Sequence, residues 1–282
     1  MEMLVSTERL AAELAAPDLA VLDASLHLPM AERDARAEYQ AAHIPGARFL
    51  DLAGLHDPAS ALPGKVPDGD RIARWLGERG IGPQTRIVLY DNSDLRSACR
   101  AWVLLDLAGL ANIAVLDGGL AKWKAEGRSL ESGMPETAPM DRPATTVRIT
   151  DIRDKAAMLA NVDDHREQVV DARDAGRFTG SVEDTVHGLP GGHIPGARHL
   201  FFRDVLQEDG TFRDAETLRT LFKKAGLDLD RPIVATCGSG VTASVLVFAL
   251  RLLGAPQTAL YDGSWSEWGA DPRAPKETGE AR

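Results

Sequence analysis

The chain holds two cysteines, and they sit in opposite surroundings. Cys237 lies in "IVATCGSGVTAS", residues 233–244, between an apolar β-type run and a long apolar helical run that opens at Ser244. A strand, a short loop and a helix in that order place the sulfur at the carboxyl end of the strand, facing the helix N-terminus. The loop Gly238-Ser239-Gly240-Val241-Thr242 is small enough for successive backbone N–H groups to curl around the sulfur. Those amides and the positive end of the helix would favour a thiolate, a persulfide or a charged leaving group. The hydroxyls of Ser239 and Thr242 are further candidate donors. Cys99, in "LRSACRAWVLL", lies inside a helical pattern with no glycine, where a cysteine reads as a small buried hydrophobe.

Spacing decides between cysteine chemistries. A cysteine-dependent phosphatase needs an arginine six positions after the cysteine, and here that residue is Ala243. A cysteine protease needs a histidine base, which His187 or His193 would have to supply. His193, however, has a counterpart in His43, in a part of the chain with no equivalent cysteine, so the two share a structural role. What remains is chemistry in which sulfur is the carried group: the thiolate takes the outer sulfur of a donor as a persulfide and passes it to an acceptor. An anionic donor needs a positive anchor, and Arg177, in "DARDAGRF" after a predicted strand, lies on the same carboxyl edge as Cys237. Arg173, two residues from Asp171, has the spacing of a loop-fixing residue.

The elements that position these residues are written twice. "AAHIPGARFLDL" at 41–52 returns as "GGHIPGARHLFF" at 191–202, "AVLDAS" as "VVDARD", "RIVLYDNSD" as "PIVATCGSG", and "VLDGGLAKW" as "LYDGSWSEW". Four landmarks in one order mean a duplicated domain. Strands are expected near 20–23, 87–90 and 113–116, and again near 168–171, 232–236 and 258–261. Helices are expected near 7–15, 69–79, 96–108, 214–225 and 242–253. Strand–helix alternation implies an α/β fold with a parallel sheet covered on both faces. The stretch 128–147 is rich in Pro, Ser and Thr and lacks periodicity. We therefore expect a first domain at 1–128, a linker at 129–147 and a second domain at 148–282.

Bulk properties restrict the partners. A net charge of −10 argues against nucleic acid but leaves room for one local basic pocket and a small anion. The N-terminus has no basic, apolar signal pattern, no run approaches a membrane span, and two cysteines make no disulfide framework; the expected setting is cytoplasmic. No metal-ligand spacing or phosphate-binding glycine motif points to a metal or organic cofactor.

With the paired HIPGA segments and the C-G-S-G-V-T-A loop in view, the whole chain resembles the tandem-domain rhodanese-like sulfurtransferases, which comprise the thiosulfate and 3-mercaptopyruvate enzymes. The resemblance implies two tandem rhodanese domains, each a five-stranded parallel sheet flanked by helices. The first would be inactive, with Asp91 where the cysteine would stand, and the second catalytic. It implies Cys237 as nucleophile, residues 238–242 as persulfide cradle, and Arg177 as substrate anchor. It also implies a cyanide, thiol or thioredoxin-like acceptor. The loop is similar to the mercaptopyruvate type, with Ser239 in the place of that family's active-site serine. Three positions depart. Val186 stands where a second arginine is usual, with His187 beside it as a substitute contact for the donor. Ala53 replaces a usual Asp, and no His precedes "LP" in the first copy, where His56 would act only by another route. Thiosulfate is the smaller alternative donor, and a persulfide carrier fed by a partner protein is the alternative outside catalysis with small donors.

Overall fold

The structure, a computed structural model, describes residues 1–62 and 64–281. Its elements in chain order are β1 (Leu4–Val5), α1 (Thr7–Glu13), β2 (Leu19–Asp23), α2 (Ala35–Ala41), β3 (Arg48–Phe49), α3 (Gly69–Glu78), β4 (Arg86–Tyr90), α4 (Ala98–Leu107), β5 (Ile113–Leu116) and α5 (Gly119–Ala125). The second copy repeats them as β6 (Ile152–Arg153), α6 (Lys155–Asp164), β7 (Gln168–Asp171), α7 (Ala175–Thr179), β8 (Arg198–His199), α8 (Ala215–Lys224), β9 (Ile233–Thr236), α9 (Ala243–Leu252), β10 (Thr258–Tyr261) and α10 (Ser264–Trp268).

Each copy forms one five-stranded sheet, in the orders β1-β5-β4-β2-β3 and β6-β10-β9-β7-β8, and every pairing is parallel. The inner strands are apolar because helices cover both faces; all four residues of β9 and of β10 are buried. In the second sheet the chain steps from β7 to β8 on one side and from β9 to β10 on the other. The crevice where ligands bind such sheets therefore opens at the carboxyl ends of β7 and β9. Those ends are in register, Asp171 opposite Thr236, so the loops that leave the two strands emerge side by side.

Three expected strands per copy stand within one residue of their positions. The five expected helices lie within one residue of their bounds except at two ends, each short by two residues. The helix expected from residue 96 starts at Ala98, because Arg96 is left-handed (φ 54°). That expected to run to residue 15 stops at Glu13, since Pro17 disfavours helical geometry just before it.

The chain divides into two compact units. The first comprises Met1–Pro58, Val66–Arg148 and Glu208–Thr211; the second comprises Ala59–Lys65, Ile149–Gln207 and Phe212–Arg282. The stretch expected as a linker, 129–147, belongs to the first unit. Glu131 pairs with the His43 backbone, the Met140 amide donates to the Gly77 carbonyl, and the Thr146 amide donates to the Ala108 carbonyl. Among the described residues no helix is long and apolar enough to cross a membrane.

Candidate functional site

Cys237 follows β9 directly and is 2% exposed. Two groups fix its backbone and a third fixes that of its neighbour. Its amide donates to Ser264 Oγ at 3.2 Å, and its carbonyl accepts from the Trp265 amide at 2.9 Å. The next carbonyl, of Gly238, accepts from the Ser266 amide at 2.8 Å. With those carbonyls held by the start of α10, the loop's own amides are left for the other side. The Gly240 amide donates to Cys237 Sγ at 3.2 Å. Those of Gly238, Ser239, Val241 and Thr242 donate to no protein acceptor among the described residues. Gly240 is left-handed at φ 83°, a conformation that L side chains rarely adopt, which is why the curl needs glycine there. Val241 and Thr242 lead into α9, whose first turn has no side-chain cap. The result is a set of open N–H donors and a helix N-terminus around one sulfur, an arrangement suited to a negative charge. The Ser239 and Thr242 hydroxyls, expected as donors, make no hydrogen bond to the sulfur; the Gly240 amide does.

Ser264 was not singled out by sequence reasoning, yet it holds the cysteine in place. It is fully buried, donates to the Tyr261 carbonyl at 2.8 Å, and carries φ 49°, an unfavourable conformation for a serine. The repeat offered a signal: its counterpart is Gly119, also left-handed at φ 58°.

Across the crevice, the β7–α7 segment supplies the cations. Arg173 is fully buried and gives Nε and Nη2 to the Asp171 carboxylate, with Nη2 2.6 Å from Oδ2, and Nη2 also to the Gly192 carbonyl. Its guanidinium carbon lies 4.5 Å from the centre of the Trp265 ring. Arg173 is thus committed to fixing the loop, as its spacing suggests. Arg177 is more open, with its side chain 21% exposed. Its Nε donates to Asp174 Oδ2 at 2.6 Å, while Nη1 lies 3.6 Å from Asp184 Oδ1.

Asp184, also unforeseen, ties these groups to the cysteine loop. It is fully buried, 3.7 Å from Arg173 Nη1 and 3.0 Å from His187 Nδ1. Burial by itself would push its carboxyl up, but the His187 hydrogen bond and the Arg177 and Arg173 charges outweigh that and hold it below the usual range. His187 lies directly on the cysteine loop: a β-carbon on Gly238 would fall 2.2 Å from its Cε1. The structure therefore joins Cys237, the 238–242 loop, His187, Asp184 and Arg177 into one chain of contacts. Val186 adds no charge to it.

The first unit shows what the same framework does without a cysteine. Asp91 is buried, accepting from the Ser93 amide at 2.9 Å and the Ala98 amide at 2.8 Å. Burial pushes its carboxyl up against the pull of those bonds. Cys99 is buried in α4 as expected, and burial raises its thiol well above the ordinary value. His56 lies in that unit, its Nδ1 on the Ala53 carbonyl at 2.8 Å. The two HIPGA histidines play matching parts. His43 Nδ1 meets the Tyr39 carbonyl at 2.8 Å with its ring stacked on Tyr39, and His193 Nδ1 meets the Phe178 carbonyl at 2.9 Å with its ring stacked on Phe178.

Comparison with known proteins fits this architecture. The rhodanese-like domain family matches residues 6–126 and again 145–271. Human 3-mercaptopyruvate sulfurtransferase is 39% identical over 276 residues, covering 94% of this chain and 91% of its own. Mouse thiosulfate sulfurtransferase is 38% identical over 284 residues, covering 98% and 94%. Among solved structures, SseA from Escherichia coli, described as a 3-mercaptopyruvate sulfotransferase with the rhodanese fold, superposes with a TM-score of 0.85 at 33% identity, covering 94% of this chain and 99% of that one.

Proposed function

The chain belongs to the rhodanese-like family and is a sulfurtransferase, and from that premise we propose that Cys237, in the repeat at 148–282, carries the sulfur. The observation that carries this reading is the Cys237 loop, whose open amides and helix N-terminus surround one sulfur at the crevice of the second sheet.

In the first half-reaction the Cys237 thiolate attacks the sulfur of 3-mercaptopyruvate. A Cys237 S–S bond forms, the donor C–S bond breaks with its electron pair going to carbon, and protonation releases pyruvate. The persulfide's terminal sulfur then rests among the amides of Gly238, Ser239, Gly240, Val241 and Thr242. In the second, cyanide or a thiol attacks that outer sulfur, the S–S bond breaks, and the thiolate returns. Arg177 faces the donor carboxylate, with His187 as its neighbour. The uncharged Gly238-Ser239 pair supports a keto-acid donor, since a loop carrying its own cations would favour a more highly charged one.

Thiosulfate is the second reading. Arg177 is already paired with Asp174, and residue 186 is a valine rather than an arginine. A compact dianion held by loop amides asks less of that side; there the S–S bond of the donor breaks and sulfite leaves. A cytoplasmic setting belongs to the same proposal and suits two unpaired cysteines.

Initial rates of sulfur transfer to cyanide, from each donor and with Cys237→Ser as control, test the assignment. We expect 3-mercaptopyruvate to be faster and the serine variant to be inactive. A faster rate with thiosulfate makes Val186 the telling residue, and transfer by Cys237→Ser removes Cys237 from the mechanism. Failure of both donors, with uptake of persulfide sulfur from a partner protein, would identify a carrier.

A further inference from the structure

The side-chain charges beside the Cys237 loop, unlike its open amides, do not favour an anion until His187 is counted. Arg173 and Arg177 face three carboxylates, those of Asp171, Asp174 and Asp184, so this cluster is formally negative when His187 is neutral. Arg173 is sealed from any ligand by Asp171, Gly192 and the Trp265 ring. Arg177 has one edge committed to Asp174. A donor anion arriving over the Cys237 loop therefore meets one half-committed guanidinium in a net negative setting.

His187 is placed to reverse that sign. Asp184 is held ionised and can only accept, so the His187 Nδ1 facing it carries a proton. The other nitrogen, Nε2, makes no hydrogen bond among the described residues and lies 3.0 Å from where a β-carbon of Gly238 would be, at the rim of the loop. In the neutral ring Nε2 presents a lone pair to an anion. In the protonated ring it presents an N–H and a positive charge. The groups facing this ring are Asp184 on its own loop, Arg173 and Arg177 through Asp184, and the Cys237 loop beneath it.

We propose that His187, fixed by Asp184 against Gly238, is a proton-operated anion clamp that makes capture of the anionic sulfur donor pH-dependent. This rests on the sulfur-transfer reading and adds to it a specificity-determining residue. The clamp works by proton occupancy: protonated His187 cancels the excess carboxylate and gives the donor a second cationic hydrogen bond. Deprotonated His187 withdraws both. Discharge of the persulfide to a neutral acceptor requires no anion at that rim and is not governed by it.

The test is the KM for thiosulfate and for 3-mercaptopyruvate between about pH 5 and 8. It is measured for the unmodified protein, His187→Gln and His187→Arg. We expect KM in the unmodified protein to rise at least about tenfold across the interval, the worth of one charged hydrogen bond. His187→Gln should be flat at the high value and His187→Arg flat at the low one. A slope that persists unchanged in His187→Gln overturns the proposal. Titration calorimetry of thiosulfate into Cys237→Ser, with and without His187→Gln, reads the same dependence with no turnover. If binding there follows His187 while the unmodified protein turns over neither donor, the assignment of Cys237 as sulfur carrier fails and the clamp stands. If turnover proceeds with a flat KM, the clamp fails and the reading stands.

Discussion

The His187 ring occupies the space in which any side chain at residue 238 would begin, its Cε1 2.2 Å from an ideal β-carbon on Gly238. Gly238→Ala must therefore push the imidazole off the loop or distort the loop that holds the sulfur. Displacement of about 1 Å at a reacting centre costs on the order of 100-fold in rate. We expect kcat/KM for the donor to fall by that order while far-ultraviolet circular dichroism stays unchanged. An alanine variant with full activity would show that the ring has no part in donor capture.

Asp184 ties acid stability to the same site. Its folded carboxyl sits below the usual range, so its contribution is present above the unfolded carboxylate value, near pH 4, and is lost as pH falls through the folded value. Denaturant titrations should show the unmodified protein losing its advantage over Asp184→Asn on acidification from about pH 5 downward. At pH 7 the loss of its charged hydrogen bond to His187 and of its charge beside Arg173 costs roughly 1.5–3 kcal/mol, since Asp171 still holds Arg173. Equal stability of the two proteins at pH 7 would refute the pairing.

His43→Ala and His193→Ala should behave alike in stability. Each removes one buried hydrogen bond and one stacked ring, about 1–3 kcal/mol, and each should lower the thermal midpoint by a few degrees. His43→Ala should leave kcat within about twofold, because its ring serves the fold of a unit whose loop holds Asp91. A large loss of kcat with His43→Ala at unchanged stability would give that histidine a direct role in the chemistry.

Val186→Arg restores the charge that this crevice lacks. One added charged hydrogen bond predicts a fall of roughly tenfold in KM for 3-mercaptopyruvate. It should also weaken the dependence of KM on pH, since a permanent cation would stand next to His187. An unaltered KM would mean that residue 186 does not face the donor.

The inner strands were legible because β2, β4, β5, β7, β9 and β10 are runs of four or five mostly apolar residues at the centre of two parallel sheets. The edge strands were not: β1, β3, β6 and β8 are two residues each, too short for any period, and only the resemblance implied them. Cys237 stood out by its place between strand and helix. Asp184 did not, since an acid in a polar loop reads as solvated, and its burial comes from Arg173, Arg177 and His187 arriving from three sequence positions. The left-handed turn at Ser264 is a backbone property that a serine does not advertise; only its pairing with Gly119 hinted at it.

The first unit supplies its own acceptor. There the loop amides of Ser93 and Ala98 are satisfied by the Asp91 carboxyl oxygens, an acceptor covalently attached to the loop it fills. A visiting anion would have to compete with a ligand at permanent saturation. Cys237 brings only a sulfur to the equivalent place, one amide reaches it, and the remaining donors stay unspent. On the proposed mechanism, one chain built twice should load a single transferable sulfur, because the other loop already carries its own guest.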